Sequence, residues 1–435
     1  MGVTLRLVYN TASWVNGGVS FLEKKLAMAN QQVFSAEKWF VWTVVIGTAL
    51  SISPLSSNSS LWAVDPQAED PQAEDPAASS DRDFFIGGYG KGISVATYRS
   101  KDGSFSTPTL ACSVENPSYL CQHPTLPVLY AVRETSRTET AKGKSAIFAF
   151  QWNPESRQLE QMSETPIDGD TPCHVSVDAK GKFAFVANYS SGCVLVYALA
   201  TDGRVERELD HVQHETRNSA QIVKVPRAHS IRMDPTNHWT LVADLGLDRV
   251  IVYRLDAEHG KLLENSVDGS LQMLAGAGPR QIAFHPNGKF LFVINELNST
   301  LTAASWDSEK GVLEEISTLS TLPAEFQGKN STAAVVVNAS GDRVYGSNRG
   351  HDSIAAFRFD EATGKLTSIG HQSTGGKTPR DFRITPDGRF LLAQNQQSDS
   401  INVLAIDEKT GQLTATGKQF EVLAPACIEF LNVKK

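Results

Sequence analysis

From Asn116 to Phe430 the apolar positions repeat one motif seven times: a small-residue or Pro turn, a short alternating strand, and usually a Pro/Asp/Gly turn. The copies begin at Asn116, Thr171, Arg227, Gly278, Thr332, Thr378 and Ala424. Their equivalent apolar positions, Leu120, Val175, Ile231, Ile282, Val335, Phe382 and Ile428, stand 46 to 56 residues apart. In an all-β pattern, a period of that length is the period of propeller blades.

The copy at Thr378 is the clearest. Alternation at Phe382 and Ile384 predicts an inner strand, Pro386-Asp387-Gly388 a tight turn, and the apolar run Phe390 to Ala393 a buried second strand. Ser400 to Ile406 reads as the third strand and Gln412 onward as the outer one. At the chain ends the pattern is split. Asp83 to Gly87 reads as a second strand with no inner strand before it, whereas Pro425 to Phe430 is an inner strand with nothing after it. The expectation is an all-β, seven-bladed β-propeller over 81–435, closed by the C-terminal inner strand joining three N-terminal strands, which leaves no free inner edge.

Residues 1–80 differ in kind. Trp39 to Val64 carries no charge, and its densest part ends at Leu50. A duplicated Pro/acidic tract from Asp65 to Pro76 follows and reads as a disordered linker. Twelve strongly apolar residues suit a signal-peptide core better than a full membrane span. The 39–55 segment therefore predicts export, as a periplasmic or anchored protein. Without that role the chain is expected in the cytoplasm, and membrane contact is expected only through this segment if it is uncleaved. Translation from Met28 would leave a weak positive region before it.

Lys and Arg number 40 against 48 Asp and Glu, a net charge of -8, which argues against a nucleic-acid partner. An anion must then be met by a local basic cluster. The five cysteines, with no CxxC pair, read as buried thiols. Gly143-Lys144-Ser145 lacks the first Gly of a phosphate loop, and Gly87 to Gly92 links two strands with no helix following. His211 and His214 have ligand-like spacing in what reads as a long loop, without a carboxylate run beside them.

Propeller connectivity brings the starts of the inner strands and the ends of the second strands to one mouth of the channel. The starts carry His174, His229, Arg280, Arg380 and Asp381. The strand ends carry Arg133-Glu134, Asn188-Tyr189, Asp244, Asn295-Glu296, Asn348-Arg349-Gly350-His351 and Asn395-Gln396. Any one of these could be a turn cap. So many ionisable groups directed at one axial spot argue for a ligand.

At these residues the chain resembles the seven-bladed lactonase family, which holds bacterial 6-phosphogluconolactonases and the fungal carboxymuconate lactonizing enzyme. The resemblance is carried by Pro279-Arg280, Asn295-Glu296-Leu297, Ser347 to His351, and Ser373 to Phe382. It implies a site formed by His229, Arg280, Glu296 and Arg349. Around it, His174, Asp244, Asn295, His351, Lys377, Arg380 and Asp381 are expected to contact substrate. Gln281, Val335 and Arg227 stand where that family commonly has His, Glu and His.

The set suits a small lactone with an anionic tail. Guanidinium forks hold carboxylate or phosphate and stabilise oxyanion charge, while His229 or Glu296 takes a proton from water. The scheme calls for no metal and no cofactor. The expected function is a lactone hydrolase acting on 6-phosphogluconolactone or a related sugar lactone. Muconate-type lactonizing activity and a non-catalytic exported binding propeller are the alternatives.

Overall fold

The computed structural model describes residues 81–135, 145–215, 217–219, 222–267 and 269–431. The expectations for the 1–80 segment lie outside these residues. Among the described residues no helix is long and apolar enough to cross a membrane.

The described residues form seven antiparallel sheets arranged as blades, plus one small hairpin, Arg217–Ser219 with Ile222–Lys224. Six blades run consecutively, with inner strands Pro117–Gln122, Pro172–Val177, Ala228–Met233, Pro279–Phe284, Ser331–Val337 and Pro379–Ile384. They are the second to seventh blades. The first joins the chain ends, because Pro425–Phe430 pairs antiparallel with Arg82–Gly88. Each inner strand contacts those of the two neighbouring blades, and the cycle closes between Pro379–Ile384 and Pro425–Phe430.

A blade is apolar on both faces, so it is stable only when stacked. Phe292 and Ile294 of the fifth blade pack with Val344 and Phe357 of the sixth, all fully buried. Each such side chain contributes about 1.5–3 kcal/mol by leaving water. Phe84 and Phe430 seal the join, with ring centroids 5.1 Å apart. Outer strands are less regular. In the fourth blade the outer edge divides into Lys261–Glu264 and Leu271–Gln272. His211, expected in a loop, lies on the outer strand Val205–Gln213 and pairs with Leu195.

Two devices aim the inner strands. In the fourth, sixth and seventh blades, an Asp in the turn after the second strand holds the turn that leads into the next inner strand. Asp248, Asp352 and Asp399 accept from the backbone N–H of Gly278, Thr378 and Ala424, each at 2.8 Å. All three aspartates adopt positive φ.

The second device is a β-bulge near the start of all seven inner strands. The pairing passes from Pro279 to Gln281, from Pro379 to Asp381 and from Ala228 to Ser230, leaving Arg280, Arg380 and His229 outside the ladder. Ser118, Cys173 and Ala426 are passed over in the same way, and in the sixth blade the shift falls between Thr332 and Val335. A bulge re-aims a side chain and ends strict alternation.

Candidate functional site

At the mouth where the inner strands begin, the bulge residues meet residues from the ends of the second strands. Glu296, one residue past Phe290–Asn295, is the hub. Its Oε2 lies 2.8 Å from Nη2 of Arg349 and 2.9 Å from Nε of Arg280, the latter an ion pair not aligned as a hydrogen bond. The two guanidiniums also donate to backbone carbonyls of the sixth blade's inner strand, Arg280 Nη1 to Ala333 from the fifth blade and Arg349 Nη2 to Thr332 within its own. Burial and the neighbouring Arg280 lower the Arg349 pKa to about 10, so Arg349 remains a cation at neutral pH.

Arg380 is placed differently. Its guanidinium lies over the Tyr89 ring, 5.0 Å from the centroid. Tyr89 in turn donates through its hydroxyl to Oε2 of Glu134 at 2.8 Å. Among the described residues Arg380 has no hydrogen-bond or ion-pair partner within 4.0 Å, although Glu134 and Glu296 both favour its charge electrostatically. Its donors remain available to an incoming anion.

His229 is buried beside this group. Nδ1 lies 3.8 Å from Sγ of Cys173, and the ring meets the Tyr189 ring edge-on at 5.5 Å. Burial, then the fields of Arg280, Arg380 and Arg349, hold its pKa well below the ordinary histidine range. The imidazole is therefore neutral at pH 7. Burial also keeps Cys173 a thiol.

The structure thus brings together His229, Arg280, Glu296, Arg349 and Arg380. His174 and Asp381 sit next to the bulge, one step deeper in the channel. His174 stacks on Tyr119 at 4.3 Å, and Asp381 accepts from Arg383 at 2.9 Å. Three residues use their side chains within their own sheets or connections. Asp244 binds His214 at 2.6 Å and the backbone of Arg227 and Leu247. Asn295 donates to Thr300 and Thr302, and His351 bonds Ser353 at 2.6 Å. Lys377 is exposed on a loop.

Tyr89, which reads in the sequence as part of a glycine-rich turn, is a further participant. The signal was its place just beyond a second strand, the place of Glu296 in the fifth blade. Glu134, at a strand end in the sequence, joins it as the acceptor of the Tyr89 hydroxyl. Of the three atypical positions, Gln281 is buried on the inner strand, Val335 packs in the core between blades, and Arg227 lies over Tyr189 at 5.5 Å. His211 and His214 do not converge, and among the described residues no group of three His, Cys, Asp or Glu is arranged to hold a metal.

Comparison with known proteins identifies the family. Residues 83–430 match the family described as "Lactonase, 7-bladed beta-propeller". A 6-phosphogluconolactonase of Bacillus subtilis is 33% identical over 352 residues, 80% of this chain and 98% of that protein. One from Pectobacterium carotovorum is 36% identical over 241 residues, 55% of this chain and 68% of that protein. The structure of the periplasmic gluconolactonase of Pseudomonas aeruginosa superposes with a TM-score of 0.76 at 30% identity, covering 81% of this chain and all of that one. The chain belongs to the seven-bladed β-propeller lactonase family.

Proposed function

We propose that this lactonase hydrolyses 6-phosphogluconolactone or a related sugar lactone. The observation that carries the reading is Arg380, a guanidinium with uncommitted donors beside a neutral imidazole and a pre-formed Glu296–Arg280–Arg349 cluster. The phosphate of the phosphorylated lactone binds Arg380 through charge-assisted hydrogen bonds. Arg349 and Arg280 lie where they can meet negative charge developing on the carbonyl oxygen. His229 takes a proton as water attacks the carbonyl carbon. Collapse of the tetrahedral species breaks the ring C–O bond, and the imidazolium returns its proton to the departing oxygen, giving the open hydroxy acid.

The arginines oppose protonation of His229, so the free site is a poor base. An anion on Arg380 cancels part of that field and makes the imidazole more basic once substrate is bound. Glu296, held by two cations, serves chiefly to keep both in place.

The relatives named 6-phosphogluconolactonase support the phosphorylated substrate. The relative named a periplasmic gluconolactonase supports a plain one, and with it export through the 39–55 segment. The test is the rate of ring opening above the buffer blank for both lactones, with and without EDTA. Excess turnover that persists in EDTA and is lost in Arg380→Gln supports the reading. No excess rate on either lactone overturns it, and carboxymuconate lactonization, which would use the same arginines on carboxylates, then becomes the reaction to assay.

A further inference from the structure

The seven inner strands end at the opposite mouth of the channel, around a second cavity of about 420 Å³. Every blade contributes to its wall. Most of the lining is aliphatic or aromatic, including Val175, Ile282, Phe284 and Val336, and in it stand three charged side chains from different blades: Arg232, Arg383 and Glu429.

These three do not neutralise one another directly. Arg383 uses Nη1 on Asp381 and on the carbonyl of Phe382. Arg232 donates from Nη2 to the Tyr119 hydroxyl at 3.2 Å, while its Nε is buried without a hydrogen-bond partner. Glu429 accepts a long bond of 3.3 Å from the Gln122 backbone. Both guanidiniums act electrostatically on Glu429, yet among the described residues no ion pair within 4.0 Å joins it to either. Burial raises the Glu429 pKa against that pull. Opposite charges in an apolar wall normally close on each other or hold something between them.

We propose that this lower mouth is a second binding site, for a small hydroxy-carboxylate. Its carboxylate lies between the Arg232 and Arg383 guanidiniums, and a neighbouring hydroxyl donates to Glu429. The carboxylate on Glu429 selects the class, because a bare anion would meet it without offering a proton, whereas a hydroxy acid supplies charge and donor together. The inner-strand layer holding Tyr119, His174, Gln281 and Asp381 separates this site from the Arg380 mouth. The inference stands whether or not the upper mouth opens lactones.

The test is titration calorimetry of the full chain with sodium D-gluconate and, separately, sodium acetate. Gluconate binding should persist in Arg380→Gln and weaken at least tenfold in Arg232→Gln, with Arg232→Lys between them. Glu429→Gln should weaken gluconate while strengthening acetate, a pattern that general loss of structure would not produce. A thermal transition unchanged from wild type confirms that each variant is folded. The proposal is overturned if gluconate does not bind, if Arg232→Gln binds it as wild type does, or if binding is lost in Arg380→Gln. It is equally overturned if Glu429→Gln strengthens both ligands, which would leave a general anion site.

Discussion

Arg380 rests its guanidinium on the face of Tyr89, 5.0 Å from the ring centroid, rather than against a carboxylate. A cation–π contact of this kind holds the side chain in place at a cost of about 0.5–2 kcal/mol to disrupt, without occupying its N–H groups. The arginine is positioned and still open to a ligand. Arg380→Gln is therefore expected to raise KM for a phosphorylated lactone at least about tenfold, the loss of one or two charged hydrogen bonds. Tyr89→Phe keeps the ring and should change KM much less. Equal losses in the two variants would show that Glu134, freed by the missing hydroxyl, matters more than the aromatic platform.

Arg280 is only 2% exposed and draws its compensation from Glu296. Glu296→Ala should lower stability by about 3–5 kcal/mol, the cost of stranding buried charge. Replacing Arg280 by Met in the same protein should recover part of that loss, since the stranded cation is then gone. Denaturant melts of the single and double variants test this. A double variant less stable than Glu296→Ala would contradict the assignment.

The lowered His229 pKa fixes the sign of a pH effect. The free enzyme keeps a neutral imidazole to a pH below the ordinary histidine value of about 6.5. The acid limb of kcat/KM, which reports the free enzyme, should lie below that value. His229→Gln should cut kcat by about 10²- to 10⁴-fold and remove the limb. A limb at or above 6.5 in wild type would place the base elsewhere.

His174, fully buried beneath the mouth, also has a pKa held well below the ordinary range, by burial and then by Arg232, Arg383 and Arg280. Unfolding lets such a group take up a proton. Its contribution to stability is thus complete above the unfolded pKa and is lost as pH falls from about 6.5 toward the folded value. Wild type should lose more stability between about pH 7.5 and 5.5 than His174→Gln does. Parallel losses would mean that His174 is not the group responsible.

Deletion of 425–435 removes the inner strand of the first blade and bares the edge of Arg82–Gly88. Soluble, cooperatively folding protein is not expected to survive this. An unchanged thermal transition after the deletion would count against ring closure as the source of stability.

The ring and its closure were legible because blade stacking demands apolar alternation at a fixed period, and because the split copy at the termini leaves one inner strand to share. The mouth was legible as a set of residue types, since connectivity alone delivers strand starts and ends to one place. Partner choice was not. Arg280 and Arg380 occupy the same position in the fifth and seventh blades, yet one is clamped by Glu296 and the other lies over Tyr89. Sequence spacing cannot distinguish those outcomes, because Glu296 follows the second strand of Arg280's own blade, whereas Tyr89 follows that of the next blade round the ring. Asp244 and Asn295 stand at strand ends like Glu296 but turn back into their own surroundings, where backbone N–H groups and hydroxyls lie closer than the axis does.

The bulge repeated in every inner strand divides the chain's positions into two sorts. A laddered residue is committed to register, and changing it puts the whole blade at risk. A residue passed over by the pairing carries no such duty, so His229, Arg280 and Arg380 could be exchanged while the wheel that displays them stays the same. Ala426, Ser118 and Cys173 occupy corresponding places with small side chains. Variation confined to these positions would give one ring a range of chemistries, much as interchangeable jaws give one chuck a range of tools.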